Sequence, residues 1–189
     1  MNSSTLEANT LNLGSSVTVL DPCYIPGSMH MEMKIEIPYG YTWEPYVEMT
    51  DEGFWGNRVA KLGITRNGFR NITSHNVGYA GVDSGQMMII DTDAIRKWED
   101  TEYDDESAPE LSYAGACRIT LSEEQAGVIE DLAVVSSSGL GDGSYPVFVY
   151  EDALGQVERI EVDFLLKDDE DDFWEDFYEE EEEIIDDEW

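Results

Sequence analysis

Basic residues are what this chain lacks most. Its 189 residues include 10 Lys and Arg against 43 Asp and Glu, a formal net charge of −33. That balance excludes phosphate-backbone binding, which takes Lys and Arg to displace counterions, and it argues against anionic membrane surfaces. Histidine and cysteine are scarce, with two of each: His30, His75, Cys23 and Cys117. They form neither a zinc-ligand spacing nor a C-x-x-C pattern. Nothing resembles a secreted disulfide framework, although the spacing leaves open whether Cys23 and Cys117 pair. No apolar run approaches membrane-spanning length. The opening MNSSTLEANTLN has no basic or apolar signal region, so a cytoplasmic protein is expected.

A catalytic constellation is missing too. Cys23 near Asp21 suggests a nucleophile with His30 or His75 as base, but nothing in the spacing unites them, and cysteine is commonly a small buried hydrophobe. Asp91, Asp93 and Glu102 fit three corners of a twelve-residue calcium loop, yet Arg96 stands where that loop needs glycine. Gly139-Leu140-Gly141-Asp142-Gly143 has no Lys or Ser/Thr at phosphate-loop spacing. No catalytic residue, cofactor or metal is therefore expected.

What is present is strand pattern. Residues 145–150 and 157–166 read as a hairpin with Gly155 in its turn, introduced by the tight glycine loop. Upstream, residues 17–20 form a short strand stopped at Asp21-Pro22, and residues 87–90 form another closed by Asp91. Residues 29–37 alternate most clearly, with Met29, Met31, Met33, Ile35 and Ile37 on one face, a core stripe by strand periodicity. Residues 41–49, 58–65 and 77–81 continue the pattern, with a long loop over 50–57. Asp91 or Thr92 caps a short helix through Ala94, Ile95 and Trp98. Residues 99–110 form a charged loop, residues 116–120 a strand, and Ser122 with Gln125 a capping box for a short helix through Ala126, Ile129 and Leu132. The expected fold is mainly β, an antiparallel sandwich with one or two short helices, the alternative being α+β. The divisions are a loose 1–12, a β domain over 13–167 and an acidic tail over 168–189.

Asp21-Pro22, Arg58-Val59-Ala60, Gly81-Val82-Asp83-Ser84-Gly85, Gly155, Val162-Asp163-Phe164-Leu165 and above all Ser138-Gly139-Leu140-Gly141-Asp142-Gly143-Ser144-Tyr145-Pro146 carry a resemblance. In that order they resemble a bacterial family called domain of unknown function 4241, over about residues 17–166. The resemblance implies a shared, mainly β domain and no particular activity. It also supports a possible ligand loop of Asp83, Gly141, Asp142, Gly143 and Tyr145, against the simpler reading of a tight loop in which Asp142 bonds its own backbone. The family pattern supplies neither the tail nor the strong overall acidity.

The tail, DDEDDFWEDFYEEEEEIIDDEW, has no basic residue and about 15 of the acids. As a helix it would span about 33 Å, near one charge per 2.2 Å, against one per about 1.7 Å for duplex DNA. Trp174, Tyr178, Ile185 and Trp189 fall near one helical face, with Phe177 beside them. A purely solvating tail would not need these aromatics. The pattern points to a non-enzymatic acidic protein that engages a basic nucleic-acid-binding protein, as phage-encoded DNA-mimic inhibitors do. Asp171, Asp172 and Glu181 would supply charge, and Trp174, Phe177, Tyr178, Ile185 and Trp189 apolar anchors. The competing expectations are a salt-adapted member of the resembled family, and an enzyme or small-ligand sensor built on the Asp83 and Asp142 loops. An autoinhibitory tail ranks below them.

Overall fold

The structure, a computed structural model, describes residues 2–5, 10–25, 32–68 and 73–166. Alternating apolar residues build strands β1 (Asn2–Thr5), β2 (Ser16–Leu20), β3 (Met33–Glu36), β4 (Trp43–Asp51), β5 (Asn57–Arg66), β6 (Thr73–Val82) and β7 (Gln86–Asp91). One helix, α1 (Tyr113–Thr120), precedes β8 (Ala126–Ile129), β9 (Ala133–Ser137), β10 (Gly143–Glu151) and β11 (Val157–Asp163). The first sheet runs β1-β4-β5-β11-β10-β6 and the second β3-β2-β7-β9-β8. Every strand pairing is antiparallel. The molecule is the mainly β sandwich that the alternation implies, not an α+β fold.

The inward residues of both sheets make one core. Val47, Leu62, Ile64, Val147, Ile160 and Val162 of the first sheet meet Val17, Val19, Met87, Ile89 and Val134 of the second, around a fully buried Trp43. Each buried aliphatic side chain there contributes about 1.5–3 kcal/mol. The second sheet is apolar on its other face as well. Met88, Ile90, Ala133 and Val135 pack under Ala94, Trp98, Leu111 and Ala116 from a layer of 3-10 turns and α1. This double burial explains why β7 reads as a solid Met87-Met88-Ile89-Ile90 run with no alternation.

Two elements exchange types relative to the sequence expectation. Residues 116–120, expected as a strand, belong to α1: Ser112 caps it by accepting from Gly115 N at 3.0 Å. Ala116 packs on the second sheet, Gly127 of β8 leaves room for Ile119 of the helix, and Gly115 lets the helix start close against the backbone of Pro109 and Glu110. The expected helix through Ala126, Ile129 and Leu132 is instead β8 and its turn. Gln125, Glu130 and Asp131 all take positive φ, which a helix does not allow. Ala94, Ile95 and Trp98 do lie at a short helical turn, a 3-10 turn over Ala94–Lys97, with Asp91 Oδ1 accepting from Ala94 N. β11 stops at Asp163, short of residue 166, because Leu165 turns the chain with φ 56°.

At the N-terminus, Asn2–Thr5 pair with β4, and Leu11 is buried against Trp43, so residues expected to be loose contribute to sheet and core. Of the expected stripe, Ile35 and Ile37 are buried and Met33 packs on the core. Met29 and Met31 lie outside the described residues.

Candidate functional site

Three sequence motifs converge at one end of the sandwich, and a buried carboxylate joins two of them. Asp21, fully buried after β2, accepts from Cys23 N at 2.8 Å, Asp83 N at 2.8 Å and Ser84 N at 2.7 Å, and from Ser84 Oγ at 2.5 Å. It thereby ties the Pro22–Tyr24 turn to the β6–β7 turn. Asp91 plays the same part at the end of β7, accepting from Gly14 N and Asp93 N. The two strand-closing aspartates are therefore structural carboxylates, stabilised by backbone donors.

The glycine loop supplies the third motif. Asp142 accepts from Gly85 N at 3.0 Å, so it bonds across to the β6–β7 turn instead of to its own loop. Tyr145 donates to Gly141 O at 2.7 Å, and burial, then the Asp142 charge, raises its pKa. Asp83, Gly141, Asp142, Gly143 and Tyr145 are thus brought together, but Asp142 and the Tyr145 hydroxyl are occupied in holding loops.

Nearby thiols are poorly suited to nucleophilic chemistry. Cys23 and Cys117 are both free. Desolvation, then the Asp21 carboxylate, pushes the Cys23 thiol up to about 12. Cys117 is buried on α1 and accepts from Gln86 Nε2 at 3.3 Å. His75 lies on β6, away from this end in register, and His30 lies outside the described residues. No cluster of three metal-ligating side chains occurs among the described residues.

Beside the glycine loop runs an open groove of about 620 Å³. Its walls are Trp55 and Arg58 from the β4–β5 hairpin, Leu121, Ser122 and Gln125 after α1, and Gly139, Leu140 and Gly141. Gln125 braces two walls, donating to Asn57 O at 3.0 Å and accepting from Ser137 Oγ. Leu121 is 78% exposed, Leu140 60% and Trp55 59%, so the rim is apolar and open to water. None of the lining residues is acidic, and Arg58 forms no ion pair among the described residues. Reasoning from sequence missed this groove. The available signal was Phe54-Trp55 set in a glycine-flanked turn, where exposed aromatics have no core to fill.

Charge is distributed unevenly over the two outer faces. On the first sheet, Glu161 is 3% exposed and accepts from Tyr46 Oη at 2.6 Å and Tyr150 Oη at 3.1 Å. It ion-pairs with Arg159 and, at 3.6 Å, with Lys61. Arg66 pairs with Glu158 on the same sheet. Over the second sheet, Asp93, Glu99, Asp100, Glu102, Asp104, Glu106 and Glu110 are exposed along the helical layer, with Glu123 and Glu124 exposed after α1 and Glu130 and Asp131 exposed in the β8–β9 turn. Its cations are few: Arg96 pairs with Asp93, Arg118 donates to the carbonyls of Asp105 and Ala108, and Lys97 is exposed with no ion pair among the described residues. Asp171, Asp172, Trp174, Phe177, Tyr178, Glu181, Ile185 and Trp189 lie outside the described residues.

These features define an antiparallel β-sandwich domain whose loops at one end are locked together by aspartates. The family described as "Protein of unknown function (DUF4241)" matches residues 65–162, more than half of the chain, and the chain belongs to that family. The matched span includes the β6–β7 turn, α1 and the glycine loop, and ends within β11. No curated protein and no solved structure matches the chain. No helix among the described residues is long and apolar enough to cross a membrane.

Proposed function

We propose that this protein is a non-enzymatic acidic binding protein whose carboxylate-rich surface engages a basic nucleic-acid-binding protein, in the manner of a DNA mimic encoded by a phage. The observation that carries this reading is the asymmetry of the described surface. Lys61, Arg66 and Arg159 on the first sheet pair with Glu48, Asp152, Glu158 and Glu161, while Glu99, Asp100, Glu102, Asp104, Glu106 and Glu110 of the helical layer are exposed and form no ion pair among the described residues. Adaptation to a salty solvent calls for acids on every face, whereas a concentrated acidic face produces a directed field that steers a basic partner. In this reading the tail adds about 15 acids and its aromatic anchors. The raised thiol of Cys23 and the structural use of Asp21, Asp91 and Asp142 weigh against an enzyme.

The test is a low-salt pull-down from bacterial lysate with the full chain, compared with the full chain carrying Asp100→Asn, Glu102→Gln, Asp104→Asn and Glu106→Gln. A retained nucleic-acid-binding protein that duplex DNA displaces, and that the neutralised chain holds more weakly, is the expected result. Retention that DNA does not disturb overturns the mimic reading.

A second reading, a small-ligand site beside the glycine loop, is favoured by the groove between Trp55, Arg58 and Leu140. A ligand response lost in Arg58→Ala, with the fold intact, would bring it forward.

A further inference from the structure

The groove and the chain's exit from β11 belong together. After Asp163 the chain does not run on past the sheet edge. Phe164 N donates to Ala60 O at 2.8 Å and Phe164 is buried, so the exit is anchored on β5. Asp163 Oδ1 then accepts from Leu165 N at 2.8 Å, and Leu165 takes φ 56°, which bends the backbone sharply. That bend lays Leu166 against the glycine loop: a Cβ added to Gly139 would meet Leu166 Cδ1 at 3.4 Å. Gly139 is itself a wall of the groove. The last described residue therefore reaches the groove's rim, and 23 residues, 167–189, continue from that point.

The groove's chemistry suits the residues beyond Leu166. In a chain with 43 acidic residues, its lining has none, and it offers one cation, Arg58. Its exposed Trp55, Leu121 and Leu140 give large apolar surface with no described side chain covering it. Exposed apolar surface of this kind marks a contact site. The continuing segment is acidic and carries the adjacent aromatics Phe173 and Trp174 six and seven residues past Lys167. Extended chain covers up to about 3.3–3.6 Å per residue, which places both within about 29 Å of Leu166 at the rim. A separate chain would pay translational and rotational entropy to reach the groove, whereas a tethered segment arrives at high effective concentration.

We propose that the groove is the intramolecular docking site of the chain's own C-terminal segment, with Phe173 and Trp174 against Trp55, Leu121 and Leu140, and neighbouring carboxylates facing Arg58. The docked segment occupies the surface that lacks acids, and Trp174 is then shared between the groove and any partner of the tail. This inference does not depend on the proposed basic partner and is tested without one.

The experiment is hydrogen exchange on the full chain, alone and dilute, read by mass spectrometry over residues 119–125 and 139–141. Phe173→Ala/Trp174→Ala should accelerate exchange there by about tenfold, reporting local opening, and leave β7 and β9 unchanged. Leu121→Glu, at an exposed position that the fold does not need, should do the same. Exchange unaltered by Phe173→Ala/Trp174→Ala overturns the proposal. Protection that fades on dilution also overturns it, because the segment would then come from a second copy.

Discussion

On the outer face of the first sheet, Arg159 lies over the rings of Tyr46 and Tyr150, at 4.5 and 5.0 Å, and ion-pairs with Glu161. On the layer over the second sheet, Glu102, Asp104 and Glu106 face water with no ion pair among the described residues. The first arrangement satisfies buried charge internally: a carboxylate at 3% exposure persists because two hydroxyls and two cations surround it. The second leaves charge available to something outside. Unpaired surface carboxylates repel one another and so reduce the stability of the compact state. One face holds its charge within the fold, and the other leaves its charge exposed to water.

The largest expected effect breaks the satisfied face. Glu161→Ala takes the acceptor from the Tyr46 and Tyr150 hydroxyls and the more buried of two carboxylates, the other being Glu48, from Arg159 and Lys61, and should cost about 3–5 kcal/mol in urea unfolding. A loss under about 1 kcal/mol would mean that the network is solvated after all.

A pH titration probes the same face next. Burial, then Glu161, raises the pKa of both Tyr46 and Tyr150 above the ordinary tyrosine value of 10.0. The unfolded chain therefore loses these protons first as the solution turns alkaline. Stability should hold below pH about 10 and fall as pH rises through and above it. Thermal unfolding that is flat across that range would contradict the raised values.

Gly63→Ala tests the seat of Tyr46. A Cβ there would lie 2.3 Å from Tyr46 Cζ, so the ring must leave Glu161 or the strand must shift. The expected cost is about 1–3 kcal/mol, and a neutral result would show that Tyr46 moves freely.

The smallest stability effect belongs to the open face. The fourfold substitution of Asp100, Glu102, Asp104 and Glu106 to their amides should stay within about 0.5 kcal/mol of the parent. Any change should be toward greater stability at low salt, and a large loss would mean these carboxylates hold structure.

Much of the fold was legible because strand alternation is a local signal. Residues 145–150, 58–65 and 41–49 fall largely within β10, β5 and β4, and the solid apolar run at Met87 marks a strand buried on both faces. The exchange of α1 and β8 was not legible, since Ala116-Cys117-Arg118-Ile119-Thr120 carries no helical period that outweighs its β-branched residues. Tertiary packing of Ala116 and Ile119 on the second sheet decides it. Asp21, Asp142 and Tyr145 could be picked out as special, yet their partners could not, because the bond from Gly85 to Asp142 spans 57 residues. The groove was invisible for the same reason: Trp55, Leu121 and Leu140 meet only once the sheets are stacked.

The measurement that bears most directly on the acidic face is the salt dependence of affinity for the partner retained by the full chain. Between about 50 and 200 mM salt the full chain should lose affinity by tenfold or more, as contacts that replace nucleic-acid phosphates do, and the neutralised chain should lose less. Affinity that is the same at both salt concentrations would contradict the claim that this face acts by its charge.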